Sequence, residues 1–365
     1  MVVLLQDLSV ASRWRPGPPR YVLRSSATGS GALGTDAVIS ERIQTIRGLA
    51  VTLLVAFHAT FTDRGTAVNT DGLQAMVVTM HLFDYIRMPL FGFVAGFVYA
   101  FKPISRTTCR EFAARKITRL LVPCIIATTL TFALQTAGHV RVTGGLQLHE
   151  AWRIYLYPTY QFWFVQALLV EFVLIALLEA FGALSTVGRL ALVLLASVMT
   201  LVWLPAPPTT FFSIPQAGYL LPFFLLGLGV NRFRAQLLTS TVVSVSLALF
   251  FASLAIHSTS IWDPAYRSDR GSLLGVAIGC SVGLCAVCWM PRCHLLRLLG
   301  SYSFAIFLYH YLFIGVAAHL CKQAAFGAAL PLGMLLLTVG VGGPVLLHWA
   351  IQRNRALRAA LLGMR

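Results

Sequence analysis

Ten runs of about twenty mainly apolar residues punctuate this 365-residue chain, and no other feature restricts its folding so tightly. They lie near 43–62, 80–100, 117–137, 160–180, 187–204, 216–231, 239–257, 271–290, 300–320 and 328–350. Most are long enough to cross a bilayer as a helix. The composition agrees, with 58% hydrophobic residues, 11% charged residues and a mean hydropathy of +0.78. A soluble globular domain does not show such values. The expected fold is all-α: a polytopic integral membrane bundle of about ten transmembrane helices.

The formal net charge of +16 raises the question of a nucleic-acid partner. That reading needs the cations gathered on one solvated face or groove. Here they fall between the apolar runs, so no nucleic acid is expected and the bilayer itself is the partner. With the N-terminus in the cytosol, 21 of the 28 Lys and Arg residues fall on the inner side and 6 on the outer side, with Arg87 left inside the second span. This asymmetry predicts a multi-pass plasma (inner) membrane protein with both termini cytosolic. Residues 1–40, with Arg13, Arg15, Arg20 and Arg24 among Pro, Gly and Ser, read as a disordered basic cytosolic arm. Residues 41–350 form the transmembrane domain and 351–365 a basic cytosolic tail. No soluble catalytic domain is seen at either end, so chemistry is expected within the bundle. The spacing Cys285-x-x-Cys288, followed by Cys293 and His294, suits metal ligands. It equally suits small polarizable residues packing in a helix, and no metal or bound cofactor is expected.

Ionisable residues inside apolar runs mark a function unless they satisfy one another. Arg47 and His58 sit in the first span, eleven residues apart. On a helix that is three turns plus about 20°, so they share one face about 16 Å apart. His81, Asp84 and Arg87 recur at three-residue spacing near the outer end of the second span, where Asp84 and Arg87 can pair along the helix. They form either an interfacial ion pair or part of a site. Arg115, Lys116 and Arg119 cluster before the third span, which suits either phosphate binding or positive-inside topology. His310 in the ninth span and Glu171 in the fourth lie near mid-membrane. Glu171 must be paired or protonated there, with Arg87 or His310 as its expected partner.

In order, spacing and membrane depth, these segments resemble the acyltransferase 3 family of integral membrane acyltransferases, over about residues 40–350. Within it they resemble the branch of fucose O-acetylase-like proteins. RGLAVTLLVAFH, from Arg47 to His58, looks like the first-helix motif, and YIRMPLFGFVAGFVY is similar to the second-helix pattern. The stretch around Arg115, Lys116 and Arg119 looks like the cytosolic basic motif. FWFVQALL, with Trp163, resembles the fourth-span signature, and SYSFAIFLYHYLF the late Ser-Tyr-Ser to His motif. Gln44 stands where many members carry an acidic residue, and Ala95 where a serine is usual.

The resemblance implies transfer of an acyl group, most simply acetyl, from cytosolic acyl-CoA (acetyl-CoA) to a hydroxyl of a cell-surface or exported carbohydrate or glycolipid. Arg47, Arg115, Lys116 and Arg119 would hold the donor's phosphates. His58 would act as general base or transient acyl acceptor, and His310 as a second acid/base or an oxyanion donor. His81, Asp84, Arg87, Trp163 and Glu171 would line or support the acceptor side. The same buried polar residues also suit a transporter with a proton or substrate path. A non-catalytic envelope scaffold is a third reading, although it has no need of a buried polar face. No convincing inverted repeat of the transporter kind is visible.

Overall fold

Long apolar segments with few helix breakers leave the backbone one economical way to satisfy its polar groups, and the described residues are helical with no strand. This computed structural model describes residues 30–60, 74–104, 109–137, 148–204, 210–263, 269, 271–324 and 329–364. Arg13, Arg15, Arg20 and Arg24 of the expected basic arm lie outside the described residues, as do Arg64, Arg106, Arg141, Arg267, Arg270 and Arg365 of the topology count.

The longer helices are α1 (Ser30–Thr60), α2 (Gln74–Leu82), α3 (Asp84–Tyr99), α4 (Cys109–Lys116) and α5 (Val122–Ala137). After the short α6 (Arg153–Leu156) come α7 (Trp163–Ala180), α8 (Val187–Trp203) and α9 (Ile214–Arg232). The short α10 (Arg234–Leu237) leads into α11 (Ser240–Ser260), α12 (Leu273–Trp289), α13 (His294–Gln323), α14 (Ala329–Ile351) and α15 (Arg355–Leu362). Helix α1 begins at Ser30.

Among the described residues, seven helical stretches are long and apolar enough to cross a membrane: Val38–Thr60, Arg110–Ala137, Arg153–Ala180, Phe211–Arg232, Ser240–Ser260, His294–Gln323 and Pro331–Ile351. The expected count of about ten is therefore not reached by length. Helices α8 and α12 stop at 17 residues each. The second expected span is broken at Phe83, where Asp84 opens α3 and faces the positive end of the helix. Burial separates the spans by role. In Val38–Thr60 67% of the most apolar window is buried, against 17% in Ser240–Ser260 and 22% in Pro331–Ile351, so α1 lies inside and α11 and α14 face outward.

The contacts divide the chain into two compact units. The first comprises the described parts of Met1–Phe57, Gln74–Lys102 and Phe223–Phe304; the second those of His58–Leu73, Pro103–Pro222 and Ala305–Arg365. In the first unit, α12 carries Gly275, Gly279 and Gly283 at four-residue spacing, which places them on one face. Tyr85, Pro89 and Phe93 of α3, also spaced by four, fill the places that Cβ atoms would occupy there. Small residues thus make the groove that receives large ones, as in membrane helix pairs generally. Gly96 of α3 and Gly227 of α9 go further, lying directly against the backbones of Phe224 and Phe93 respectively. Asn231 fixes the same crossing by donating its amide to the Phe97 carbonyl at 2.7 Å. Gly96→Ala is expected to force α3 and α9 apart at a cost of about 1–3 kcal/mol. The midpoint of thermal unfolding in detergent should fall by several degrees, whereas Gly188→Ala, with nothing within 4 Å, should leave it unchanged.

Candidate active site

Arg47 is among the largest fully buried side chains, at 1% exposure. Two close backbone approaches between α1 and α13 frame it, at Gly48 against Leu296 and at Gly300 against Gln44. Neither position leaves room for a side chain, and the proximity brings acceptors to the guanidinium. Nη1 donates to Gln44 Oε1 at 3.2 Å and Nη2 to Ser303 Oγ at 2.9 Å. Gln44 therefore serves Arg47 with a neutral amide oxygen. Glu41 of α1 is paired with Arg297 of α13 at 3.0 Å.

The first unit also holds the expected Asp84–Arg87 pair, with Arg87 Nη2 2.8 Å from Asp84 Oδ1. His81 joins it, its Nδ1 lying 2.9 Å from Asp84 Oδ2, so one carboxylate serves two partners. The guanidinium of Arg87 lies over the Phe57 ring, 3.6 Å from its centroid. Behind His81, the buried His257 Nε2 donates to the His81 carbonyl at 2.9 Å. Asp84 is only 5% exposed and His81 30%, so the network turns its imidazole toward open space and its charge pair inward.

In the second unit His58 and His310 come together, with ring centroids 5.2 Å apart. His310 is fully buried. Its Nδ1 approaches the carbonyls of Ile306 and Phe307 at 2.8 and 3.0 Å. Carbonyl oxygens only accept, so Nδ1 carries the proton and the lone pair of the neutral ring sits on Nε2. Nε2 has no hydrogen-bond partner among the described residues. His310 in this form presents an acceptor at Nε2.

Two tyrosines complete this cluster. Tyr311 meets His58 edge to face at 5.5 Å, and Tyr160 lies 5.3 Å from Tyr311. Tyr160 donates its hydroxyl to Gln135 Oε1 on α5. Its backbone is left-handed, with φ 48°, as are those of Phe212 at 47° and Ser213 at 54°. Each such residue stores about 1–3 kcal/mol and persists only where neighbours over-determine it. Gln166 is one such neighbour: its amide donates to the Tyr155 carbonyl at 2.9 Å, while its Oε1 accepts from Ser213 Oγ at 2.6 Å. Tyr160, Tyr311 and Gln166 were not singled out from sequence. Gln166 lies within FWFVQALL, but a tyrosine at a helix start gives no signal of left-handed backbone.

The remaining candidates are dispersed. Trp163 is half-exposed at the start of α7, its ring 6.1 Å from Phe164. Glu171 is fully buried, and neither carboxylate oxygen has a hydrogen-bond partner among the described residues. The expected pairing with Arg87 or His310 is not formed, because Asp84 holds Arg87 and backbone carbonyls hold His310 Nδ1. The basic stretch also separates. Lys116 turns inward between Phe112 and Phe172, 4.8 and 4.4 Å from their centroids. Arg115 stays half-exposed beside Glu111 at 3.3 Å, and Arg119 lies in the π-helical turn Ile117–Leu121. Lys116 is thereby placed for packing, while Arg115 keeps an accessible guanidinium. Cys285, Cys288 and Cys293 are half-buried free thiols, and among the described residues no three His, Cys, Asp or Glu side chains converge as metal ligands.

A family model described as an acyltransferase domain matches residues 41–349. No curated protein and no solved structure matches the chain. Selective ¹⁵N-histidine labelling, with His310→Phe to assign the signal, is expected to show a protonated Nδ1 and a pyridine-like Nε2 for His310; the reverse tautomer would remove its accepting lone pair.

Proposed function

From the premise that this chain belongs to the acyltransferase 3 family across residues 41–349, we propose that it is an O-acyltransferase of the fucose O-acetylase-like branch. A multi-pass membrane acyltransferase fits both the family and the apolar helices. The donor in this reading is cytosolic acyl-CoA, most simply acetyl-CoA, and the acceptor a hydroxyl of a cell-surface or exported carbohydrate or glycolipid. The membrane is the plasma (inner) membrane, crossed by about ten helices if α8, α12 and the broken α2–α3 pair are counted as short spans, with both termini cytosolic.

The observation that carries the proposal is the pairing of His58 with His310, whose accepting Nε2 is buried and unpartnered. In the reaction, a hydroxyl oxygen attacks the thioester carbonyl while His58 removes its proton. The carbon–oxygen bond forms, the carbon–sulfur bond breaks, and the proton leaves with the CoA thiol. His310 supplies a second proton acceptor beside His58, held in one tautomer by backbone carbonyls. An acyl-His58 intermediate divides the same transfer into two steps. Arg47, Arg115 and Arg119 are assigned to the donor's phosphates by their charge. Lys116 contributes charge from behind its phenylalanines.

On the acceptor side, Tyr160 and Tyr311 offer half-exposed rings, with Tyr311 edge to face against His58. A sugar matches such a seat, with apolar ring faces for the aromatics and hydroxyls for the polar edges. His81, Asp84, Arg87, Trp163 and Glu171 are assigned to acceptor-side support.

His58→Ala is expected to abolish transfer of labelled acetyl from acetyl-CoA into glycans or glycolipids of isolated membranes while leaving membrane insertion intact. Retained transfer would overturn the assignment. No label from the wild type across a broad panel of donors and acceptors would favour a transporter. Tyr160→Ala is expected to raise the acceptor KM about tenfold or more with little change in donor KM, read from initial rates against each substrate.

A further inference from the structure

The family match ends at residue 349, yet the chain beyond it is built into the second unit. Asn354 caps α15 by accepting from the Leu357 amide at 3.1 Å, and Gly363 ends it in the left-handed conformation at φ 64°. Gly363 lies against the backbone of Arg119, where a Cβ would collide. The Tyr309 hydroxyl, one residue before His310, donates to the Leu361 carbonyl at 2.9 Å, and Leu362 is 1% exposed. One face of α15 is thus fastened to α13 and to the turn that carries Arg119.

The other face is basic. Arg355 and Arg358 stand one helical turn apart and, with Ala356 and Ala359, line an open hollow of about 570 Å³. No acidic side chain lines it, and no ion pair among the described residues uses either arginine. The Arg358 Nε is buried and has no hydrogen-bond partner among the described residues. Two guanidinium groups with no carboxylate partner among the described residues favour an anion in the hollow. The two alanines add only short side chains to its lining.

We propose that Arg355 and Arg358 form a phosphate-ester site, outside the acyltransferase domain, on the side that the Lys and Arg distribution assigns to the cytosol. Its ligand is a phosphate of the acyl-CoA donor, in which case it rests on the reading above, or the phosphate of an anionic lipid headgroup. Bidentate contact by a guanidinium suits either.

The test uses the full-length chain in neutral detergent, with two probes: desulfo-CoA by calorimetry, and phosphatidylglycerol against phosphatidylcholine by native mass spectrometry. Arg355→Ala/Arg358→Ala is compared with wild type, and Arg358→Lys tests the fork geometry. Arg355→Gln/Arg358→Gln replaces the double alanine variant if that unfolds. Loss of about tenfold or more in desulfo-CoA affinity assigns the site to the donor. Selective loss of bound phosphatidylglycerol assigns it to lipid. Wild-type binding of both probes by a folded double variant overturns the proposal. A wild-type chain that fails to bind desulfo-CoA counts against the donor reading of the function, and the lipid probe then decides the site alone.

Discussion

A charge removed from water must be met by protein groups at hydrogen-bond distance, and inside a bilayer no solvent stands ready to replace them. This constraint organises the first unit. Arg47 is admitted to the interior because Gly48 and Gly300 let two backbones meet, which aligns Gln44 and Ser303 with its guanidinium. Asp84 meets the same demand by serving both His81 and Arg87. Small residues at the helix contacts and polar residues at the buried positions are therefore one design. Where glycine permits close approach, the distances that satisfy the buried charges follow.

The second unit spends free energy differently. Among the described residues, Tyr160, Phe212 and Ser213 are held left-handed, and Gln166 bridges the two segments that contain them. That strain holds the Tyr160 ring beside Tyr311, which in turn meets His58. His310 shows the complementary device. Backbone carbonyls one turn earlier consume its Nδ1 proton and leave Nε2 open. His310 is thereby fixed in one tautomer beside the ring of His58.

Helix α15 shows how far the basic stretch reaches beyond its own segment. Arg115, Lys116 and Arg119 are neighbours in sequence, yet Lys116 is enclosed by Phe112 and Phe172 while Arg119 supports Gly363 from the end of the chain. The cations that face open space include Arg355 and Arg358, about 240 residues away. A charge cluster read along the chain is thus redistributed once helix faces are fixed.

The sequence by itself determined the class of the molecule. Runs of about twenty apolar residues permit only helices in lipid, and Arg47, His58, Asp84, Arg87, Glu171 and His310 stand out because charge is rare in apolar runs. The Asp84–Arg87 pair was legible too, since its partners are one helical turn apart. Span number was less legible, because hydropathy does not register a break such as Phe83 or the 17-residue limits of α8 and α12. Only the tertiary structure decided that His58 meets His310 across 252 positions, that Glu171 pairs with neither expected partner, and that Gly275, Gly279 and Gly283 receive Tyr85, Pro89 and Phe93. The physical reason is that composition and period fix what a helix is, whereas the identity of its neighbour depends on shapes meeting at contact distance.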